Sequence, residues 1–132
     1  MTDKAGLPEI RAMVNEFFCE FREFKCDLDR HMAEMGELLC YVILPQVFHD
    51  HIEEILRAND EKEWINRFFG FLERMAAAHP AVQDLLSLAF LDNMRDDPAV
   101  LEVAKTYCGS HTAAHLDNLL RSYGPDARSA RP

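Results

Sequence analysis

Residues 60–75, DEKEWINRFFGFLERM, indicate most clearly which fold the sequence encodes. Their apolar side chains recur at steps of three and four residues, which is the period of one face of an α-helix. These side chains are Trp64, Ile65, Phe68, Phe69, Leu72 and Met75. Asp60 is followed three residues later by Glu63, a spacing that resembles a capping box and predicts a helix start. The stretch therefore predicts an amphipathic helix over residues 61–78.

The segments before residue 60 have the same helical period. Apolar spacing predicts one helix over residues 9–26 and a second that Asp29 caps. The shared apolar face of that second helix comprises Met32, Met35, Leu38, Leu39, Val42 and Ile43. Proline lacks a backbone N–H and crowds the preceding turn, so Pro45 should end or kink this helix. A third amphipathic helix then fills the residues up to the turn before residue 60.

Downstream, two prolines stand where helices are expected to begin. Pro80 opens a segment that is apolar on nearly every side, which predicts a central helix. Pro98 opens the next helix, and Gly109 is predicted to stop it in the left-handed conformation. Ser110 can cap a last helix that runs to about Tyr123.

The fold class follows from these patterns. No stretch alternates apolar and polar residues, and no hairpin turn separates two β-branched runs. At 132 residues the chain is one domain's length. Short connections favour antiparallel neighbours, so we predict a single all-α domain over residues 1–123, a bundle of six or seven helices. Solenoid-like stacking of helix pairs is the open alternative, and residues 124–132 are predicted to be a flexible tail.

The charge balance restricts the kinds of partner. Against 14 lysines and arginines stand 23 acidic residues, a net charge of −9. This charge repels phosphate backbones and anionic lipids, so we expect no nucleic acid or membrane partner and favour a basic protein. The longest apolar run, residues 38–44, is too short to span a bilayer, and the first residues do not resemble a secretory signal. We therefore expect a cytoplasmic protein, whose four cysteines are reduced and mostly buried.

Residues that could carry chemistry are few. His49 and His51 are two positions apart on a helix and cannot converge on one ion. His111 and His115 have the spacing at which two imidazoles can share a metal, and Cys108 lies one turn earlier. We favour the interpretation of these histidines as polar residues of an amphipathic helix. Phosphate-binding loops, nucleophile elbows and Glu-x-x-His pairs do not occur, so we predict no enzymatic activity, no cofactor and no metal.

Acidic residues are concentrated in two stretches. Residues 50–63 contain six acids against two bases, and residues 16–37 contain seven acids against three bases. Either stretch could simply be a solvated face, but two of them on a chain without a catalytic motif favour binding of a basic surface. The predicted partner-binding residues are Asp50, Glu53, Glu54, Asp60, Glu61 and Glu63, with Trp64 as a secondary candidate. The position of Trp64 in the apolar stripe favours a core role over contact with a partner.

Three stretches resemble a known family. They are residues 44–52 (LPQVFHDHI), residues 68–75 (FFGFLERM) with the apolar segment 82–94 behind them, and residues 104–109 (AKTYCG). Together they are similar to a family of small helical bacterial proteins of unassigned biochemistry. Some of those proteins look like immunity proteins encoded beside polymorphic toxins.

The resemblance implies a function but no active site. It implies that the chain binds and neutralises a cognate toxin domain in the cytoplasm. Toxins that act on nucleic acids or nucleotides need basic clefts, which an acidic helical surface can occupy. The alternatives are a small acidic adaptor or regulatory protein that docks a basic partner, and a metal- or ligand-binding bundle that uses Cys108, His111 and His115.

Overall fold

The structure is a computed structural model that describes residues 6–123, and within this range the regular elements are all helical. Seven helices follow one another in these residues. They are α1 (Leu7–Glu20), α2 (Lys25–Met35), α3 (Cys40–Val47, Phe48–Ile52 and Glu53–Ala58), α4 (Lys62–Ala76), α5 (Pro80–Leu86, Ser87–Leu91 and Asp92–Met94), α6 (Pro98–Tyr107) and α7 (Ser110–Tyr123). The prediction of an all-α bundle of six or seven helices is confirmed. The predicted tail, residues 124–132, lies outside the described residues.

Helix α5 is the centre of the bundle, as its sequence predicts. It packs against α1, α3, α4, α6 and α7. Its side chains are buried on several faces, with at most 1% of each exposed, at Val82, Leu85, Leu86, Ala89, Phe90, Leu91 and Met94. A helix that is apolar nearly all round can be stable only where other helices cover it. These five helices therefore cover α5.

Aromatic rings from three other helices meet around Phe90 of α5. The Phe90 ring centroid lies 5.4 Å from Phe68 of α4, 5.9 Å from Phe17 of α1 and 6.0 Å from Phe48 of α3. The pair with Phe68 is edge-to-face, an arrangement that aromatic pairs prefer. This cluster joins the two halves of the chain into one core.

The predicted helix over residues 9–26 is wrong in its length. Helix α1 ends at Glu20, the backbone leaves the helical region at Phe21, and a short 3₁₀ turn leads into α2. Phe21 packs against Trp64 and Phe68, so the chain bends where burial of that ring requires it. Asp29 consequently lies inside α2, where it pairs with Lys25, and does not cap a helix.

The predicted continuous face from residue 32 to residue 43 is also wrong. Gly36 adopts the left-handed conformation (φ 77°) and ends α2. The chain resumes helical structure only at Cys40, so the helical period restarts there. Met32, Met35 and Val42 are consequently between 40% and 48% exposed.

Pro45 does not end α3, which continues to Ala58. The irregular part of α3 is a wider π turn at Phe48–Ile52. A second π turn, Ser87–Leu91, interrupts α5 and packs against the first half of α3. Helices α3 and α5 thus each contain one widened turn.

The two prolines mark helix starts as predicted. Pro98 begins α6, and the Asp97 carboxylate accepts hydrogen bonds from the amides of Ala99 and Val100 at 3.0 and 3.3 Å. Pro80 begins α5, and Nδ1 of His79 accepts a hydrogen bond from the Ala81 amide in the first turn.

The predicted capping box at the start of α4 is absent. Its N-cap is Glu61, one residue later than the capping box requires, and no side chain caps it.

Candidate functional site

The six predicted partner-binding acids lie in two groups. Asp50, Glu53 and Glu54 belong to the second half of α3, whereas the other three surround the turn into α4. All are exposed except Glu53, whose side chain is 24% exposed. The two groups differ in how far their charges are already neutralised.

Arg57 pairs with two acids of the first group, Glu53 and Glu54, whereas Asp50 is exposed and forms no ion pair within residues 6–123. Its guanidinium lies 3.2 Å from a Glu53 carboxylate oxygen, 2.8 Å from Glu54 and 2.7 Å from Asp97. The hydrogen bond that Arg57 donates to the Asp97 carboxylate is the largest cause that raises the pKa of Arg57, and the same bond lowers the pKa of Asp97. Glu53 also lies 3.4 Å from His49. Glu53 and Glu54 therefore already form ion pairs within the molecule, although the Glu54 side chain stays 77% exposed.

The second group surrounds Trp64. Residues 60–64 and Arg67 line one shallow depression on the surface. Within the described residues, Asp60, Glu61 and Glu63 are exposed and form no ion pair. Their carboxylates consequently remain available to a basic partner.

Trp64 has both a core part and a surface part. Its ring stacks on Phe68 with centroids 5.4 Å apart and meets Phe21 edge-to-face. The side chain is nevertheless only partly buried, and its Nε1–H donates to Glu23 at 2.6 Å. The indole is thus held rigidly between the core and the solvent.

Glu23 belongs to the other acidic stretch, residues 16–37, so the fold brings the two stretches together at Trp64. Arg67 also reaches Glu23, at 3.3 Å, while its guanidinium lies over the ring of Phe21. We call the set Glu23, Asp60, Glu61, Glu63 and Trp64 the Trp64 surface. Sequence reasoning missed Glu23, because a contact across 41 positions leaves no local signal.

Other acids of residues 16–37 form ion pairs with side chains of other helices. Arg74 binds Glu16 at 2.6 Å and Glu20 at 2.9 Å. Asp27 is buried and lies 3.0 Å from His51 Nε2. The stretch is therefore not one continuous acidic surface.

His111 and His115 lie on α7 but face different partners. His111 Nδ1 is 2.7 Å from Glu73, whereas His115 Nε2 is 3.3 Å from the carbonyl of Ala76. Between residues 6 and 123, no three histidine, cysteine, aspartate or glutamate side chains are grouped so that they could hold a metal ion. The structure does not bring Cys108 and the two histidines together as a ligand set.

Glu73 of α4 is the most strongly engaged carboxylate in this region, and sequence reasoning missed it. It accepts bonds from the backbone amides of His111 and Thr112, from His111 Nδ1 and from Thr112 Oγ1. Partial burial raises its pKa, but these bonds, first among them that from the Thr112 amide, outweigh burial and lower the pKa to about 2. Glu73 therefore caps α7 from another helix.

Gly109 permits this contact. A Cβ atom at position 109 would lie 2.5 Å from a Glu73 carboxylate oxygen. Its φ is not positive, so the predicted left-handed stop is wrong. Ser110 is the first residue of α7 and not its cap, and Glu73 accepts the first-turn amides in its place.

The thiols divide into two classes. Cys40 is buried and Cys108 partly buried, and burial, with the charges of Glu73 and Asp117, raises the pKa of Cys108 to about 11. Cys19 and Cys26 are exposed, which corrects the expectation of mostly buried thiols. Both cysteines lie in the predicted helix over residues 9–26, but the structure breaks this helix between them. The sequence pattern therefore predicted the burial of both thiols wrongly.

Within residues 6–123, no helix is both long and apolar enough to cross a membrane.

Comparison with known proteins identifies one family. No curated protein and no solved structure matches the chain. A family model described as a domain of unknown function, DUF7674, matches residues 14–123, which include the second half of α1, all of α2 to α7 and the whole Trp64 surface. The chain therefore belongs to the DUF7674 family.

Proposed function

We propose that this protein is an immunity protein that binds and neutralises a cognate bacterial toxin domain in the cytoplasm through the Trp64 surface. The observation that carries the proposal is a partly exposed tryptophan, fixed by Glu23 and Phe68, among three exposed carboxylates. Tryptophan is enriched among residues that dominate binding energy at protein interfaces. The surrounding acids supply electrostatic complementarity to a basic cleft.

Rigidity supports this choice of surface. Stacking on Phe68 and the bond to Glu23 fix the indole before a partner arrives. Little ordering entropy is then lost on binding, which favours affinity. The net charge of −9 would also steer a basic domain toward this protein.

The resemblance of residues 44–52, 68–75 and 104–109 to immunity-like helical proteins supports the toxin as the class of partner. The alternative partner is a basic housekeeping protein, for which this chain would be an adaptor or regulator. Gene neighbourhood separates the two, because an immunity gene stands beside a reading frame that ends in a toxin domain.

The experiment is a co-expression assay with the toxin domain encoded beside this gene. Glu61→Lys with Glu63→Lys should abolish protection of the cells and slow association measured with purified proteins. Both positions are exposed, and Glu63 lies in the first turn of α4, so the fold should lose at most about 1 kcal/mol. Raising the salt concentration should slow association in the same way, because exposed charges act by steering.

The matched control is Glu102→Lys with Asp117→Lys, the same change of charge at exposed positions of α6 and α7. This variant should protect as well as the wild type. The fluorescence of Trp64, the single tryptophan, should change when the toxin binds. Full protection by a folded Glu61→Lys, Glu63→Lys variant would exclude the Trp64 surface as the binding site.

A further inference from the structure

Leu88 is an exposed apolar side chain on the most deeply buried helix. It is 58% exposed, whereas the neighbouring Ala89 and Phe90 are fully buried. Leu88 belongs to the π turn Ser87–Leu91, and such turns occur frequently at functional sites. The helix thus buries its other apolar residues in the core but presents this one to solvent.

Leu88 lies in a groove formed by three helices. Its apolar lining comes from Tyr41 of α3, Leu88 of α5 and Leu119 of α7, and its charged lining from Asp84, Asp92 and Arg95. The groove encloses about 440 Å³, within the range of about 300–1,000 Å³ typical of binding pockets. We call it the Leu88 groove.

The apolar surface extends beyond this groove. Tyr41, 44% exposed, also lines a second depression together with Leu38 and Val42. Single exposed apolar residues are ordinary, but contiguous ones mark sites of interaction. Leu88 and Val42, at 58% and 42% exposed, are joined through Tyr41 into such a surface.

The charges at the groove select the occupant. Asp84 and Asp92 stand four residues before and after Leu88, which places them about 12 Å apart along the helix. Asp92 accepts a bond from Arg95 at 3.0 Å, whereas Asp84 is exposed and forms no ion pair within residues 6–123. Because Arg95 pairs with Asp92, the exposed carboxylate of Asp84 is the charge that repels phosphate groups of lipids and nucleic acids. A second copy of this chain would bring the same net charge of −9, which opposes self-association.

We propose that the Leu88 groove binds an amphipathic helix of a basic partner protein. An apolar side chain of that helix covers Leu88 between Tyr41 and Leu119. A lysine or arginine side chain one turn before or after it meets Asp84, since Asp92 is already bound by Arg95. This is the helix-in-groove mode, in which apolar anchors one turn apart give affinity and the flanking charges fix the register. The groove shares no lining residue with the Trp64 surface, so its binding does not depend on the proposed toxin.

The probe is a labelled, stapled helical peptide with lysine, leucine and lysine at successive four-residue steps, titrated with the full chain and followed by fluorescence anisotropy. Leu88→Gln should weaken its binding by about tenfold, because an apolar contact is lost. Asp84→Asn should weaken binding less, and its effect should disappear at high salt. Met35→Gln, an equally conservative change at a residue 48% exposed outside the groove, should leave binding unchanged.

A peptide with glutamate in place of both lysines should not bind. Equal binding of the lysine and glutamate peptides, or unchanged binding by Leu88→Gln, would overturn the proposal, as would no binding to the wild type. Sedimentation of the free protein tests the remaining occupant. A dimer that Leu88→Gln dissociates would show that a second copy fills the groove, which also contradicts the proposal.

Discussion

Glu73 and Gly109 show how one side chain can depend on the absence of another. The carboxylate occupies the space where a Cβ at position 109 would stand. Gly70, in contrast, lies on the open side of α4, and a Cβ there would meet nothing within 4 Å. A side chain is therefore excluded by contact at position 109 and not at position 70.

Gly109→Ala should destabilise the protein by about 1–3 kcal/mol, because the new methyl group pushes Glu73 from the start of α7. Gly70→Ala should instead stabilise it by about 0.5–1 kcal/mol, since alanine loses less entropy than glycine in a helix interior. Urea unfolding measures both. A neutral Gly109→Ala variant would mean that Glu73 can shift without losing its bonds.

At the scale of helices, α4 supplies the cap that α7 lacks in its own sequence. The Glu73 carboxylate accepts the amides of His111 and Thr112, donors that a helix leaves unpaired in its first turn. The negative charge of Glu73 also interacts favourably with the positive end of the α7 dipole. The contact between Glu73 and α7 is therefore stronger when the carboxyl is ionised. The stability of the α4–α7 contact is consequently linked to pH.

The sign of this linkage follows from the lowered pKa. Glu73 titrates at about 2 when folded, against 4.5 for an ordinary glutamate, so its contribution is complete above pH 4.5 and is lost as pH falls toward 2. Glu73→Gln should lower the free energy of unfolding at pH 7 by about 1.5–3 kcal/mol. It should also lose less stability than the wild type between pH 5 and pH 2.

Unfolding midpoints measured across this pH range test the linkage. Glu102→Gln removes an exposed carboxyl from α6 and should follow the wild-type curve. Parallel curves for Glu73→Gln and the wild type would show that another carboxyl governs acid unfolding.

Local signals predicted which helices exist, whereas distant contacts decided where some of them end. Pro80 and Pro98 fix helix starts through their own chemistry, so the sequence located both. The break at Phe21 arises from rings more than 40 positions away, and nothing near it in the sequence marks a turn. Gly36 is itself a local stop signal for α2, but the apolar period of the sequence runs through it and masks that signal.

At the scale of the whole molecule, Phe90 links helices from both halves of the chain. Its ring is fully buried and touches rings of α1, α3 and α4. Phe90→Ala should therefore lower the free energy of unfolding by about 3–5 kcal/mol. One cooperative transition should remain, with coincident curves from circular dichroism and from Trp64 fluorescence.

Leu88→Ala, two residues away but exposed, is the comparison and should change stability by no more than about 0.5 kcal/mol. Separate transitions by the two probes would mean that the helices do not share one core. A small effect of Phe90→Ala would mean that the surrounding rings close the cavity.

The candidate site was predictable only as a region. Composition gives the total charge, but Arg57 engages Glu53 and Glu54, and Arg74 engages Glu16. Which carboxylates stay available is decided by arginines that the fold brings near, partly from distant positions. Trp64 was correctly placed in the apolar stripe, yet its partial exposure depends on the bend at Phe21 and could not be read from the period.

The polar contacts that join helices span long stretches of chain, which has a consequence for kinetics. Arg57 and Asp97 are 40 positions apart, Glu73 and Thr112 are 39 apart, and Arg74 and Glu16 are 58 apart. Such contacts close large loops, so we expect them to form after the helices have collapsed together. Interactions that are absent from the transition state slow unfolding without speeding folding. These ion pairs and caps should therefore lengthen the lifetime of the native state more than they hasten its formation.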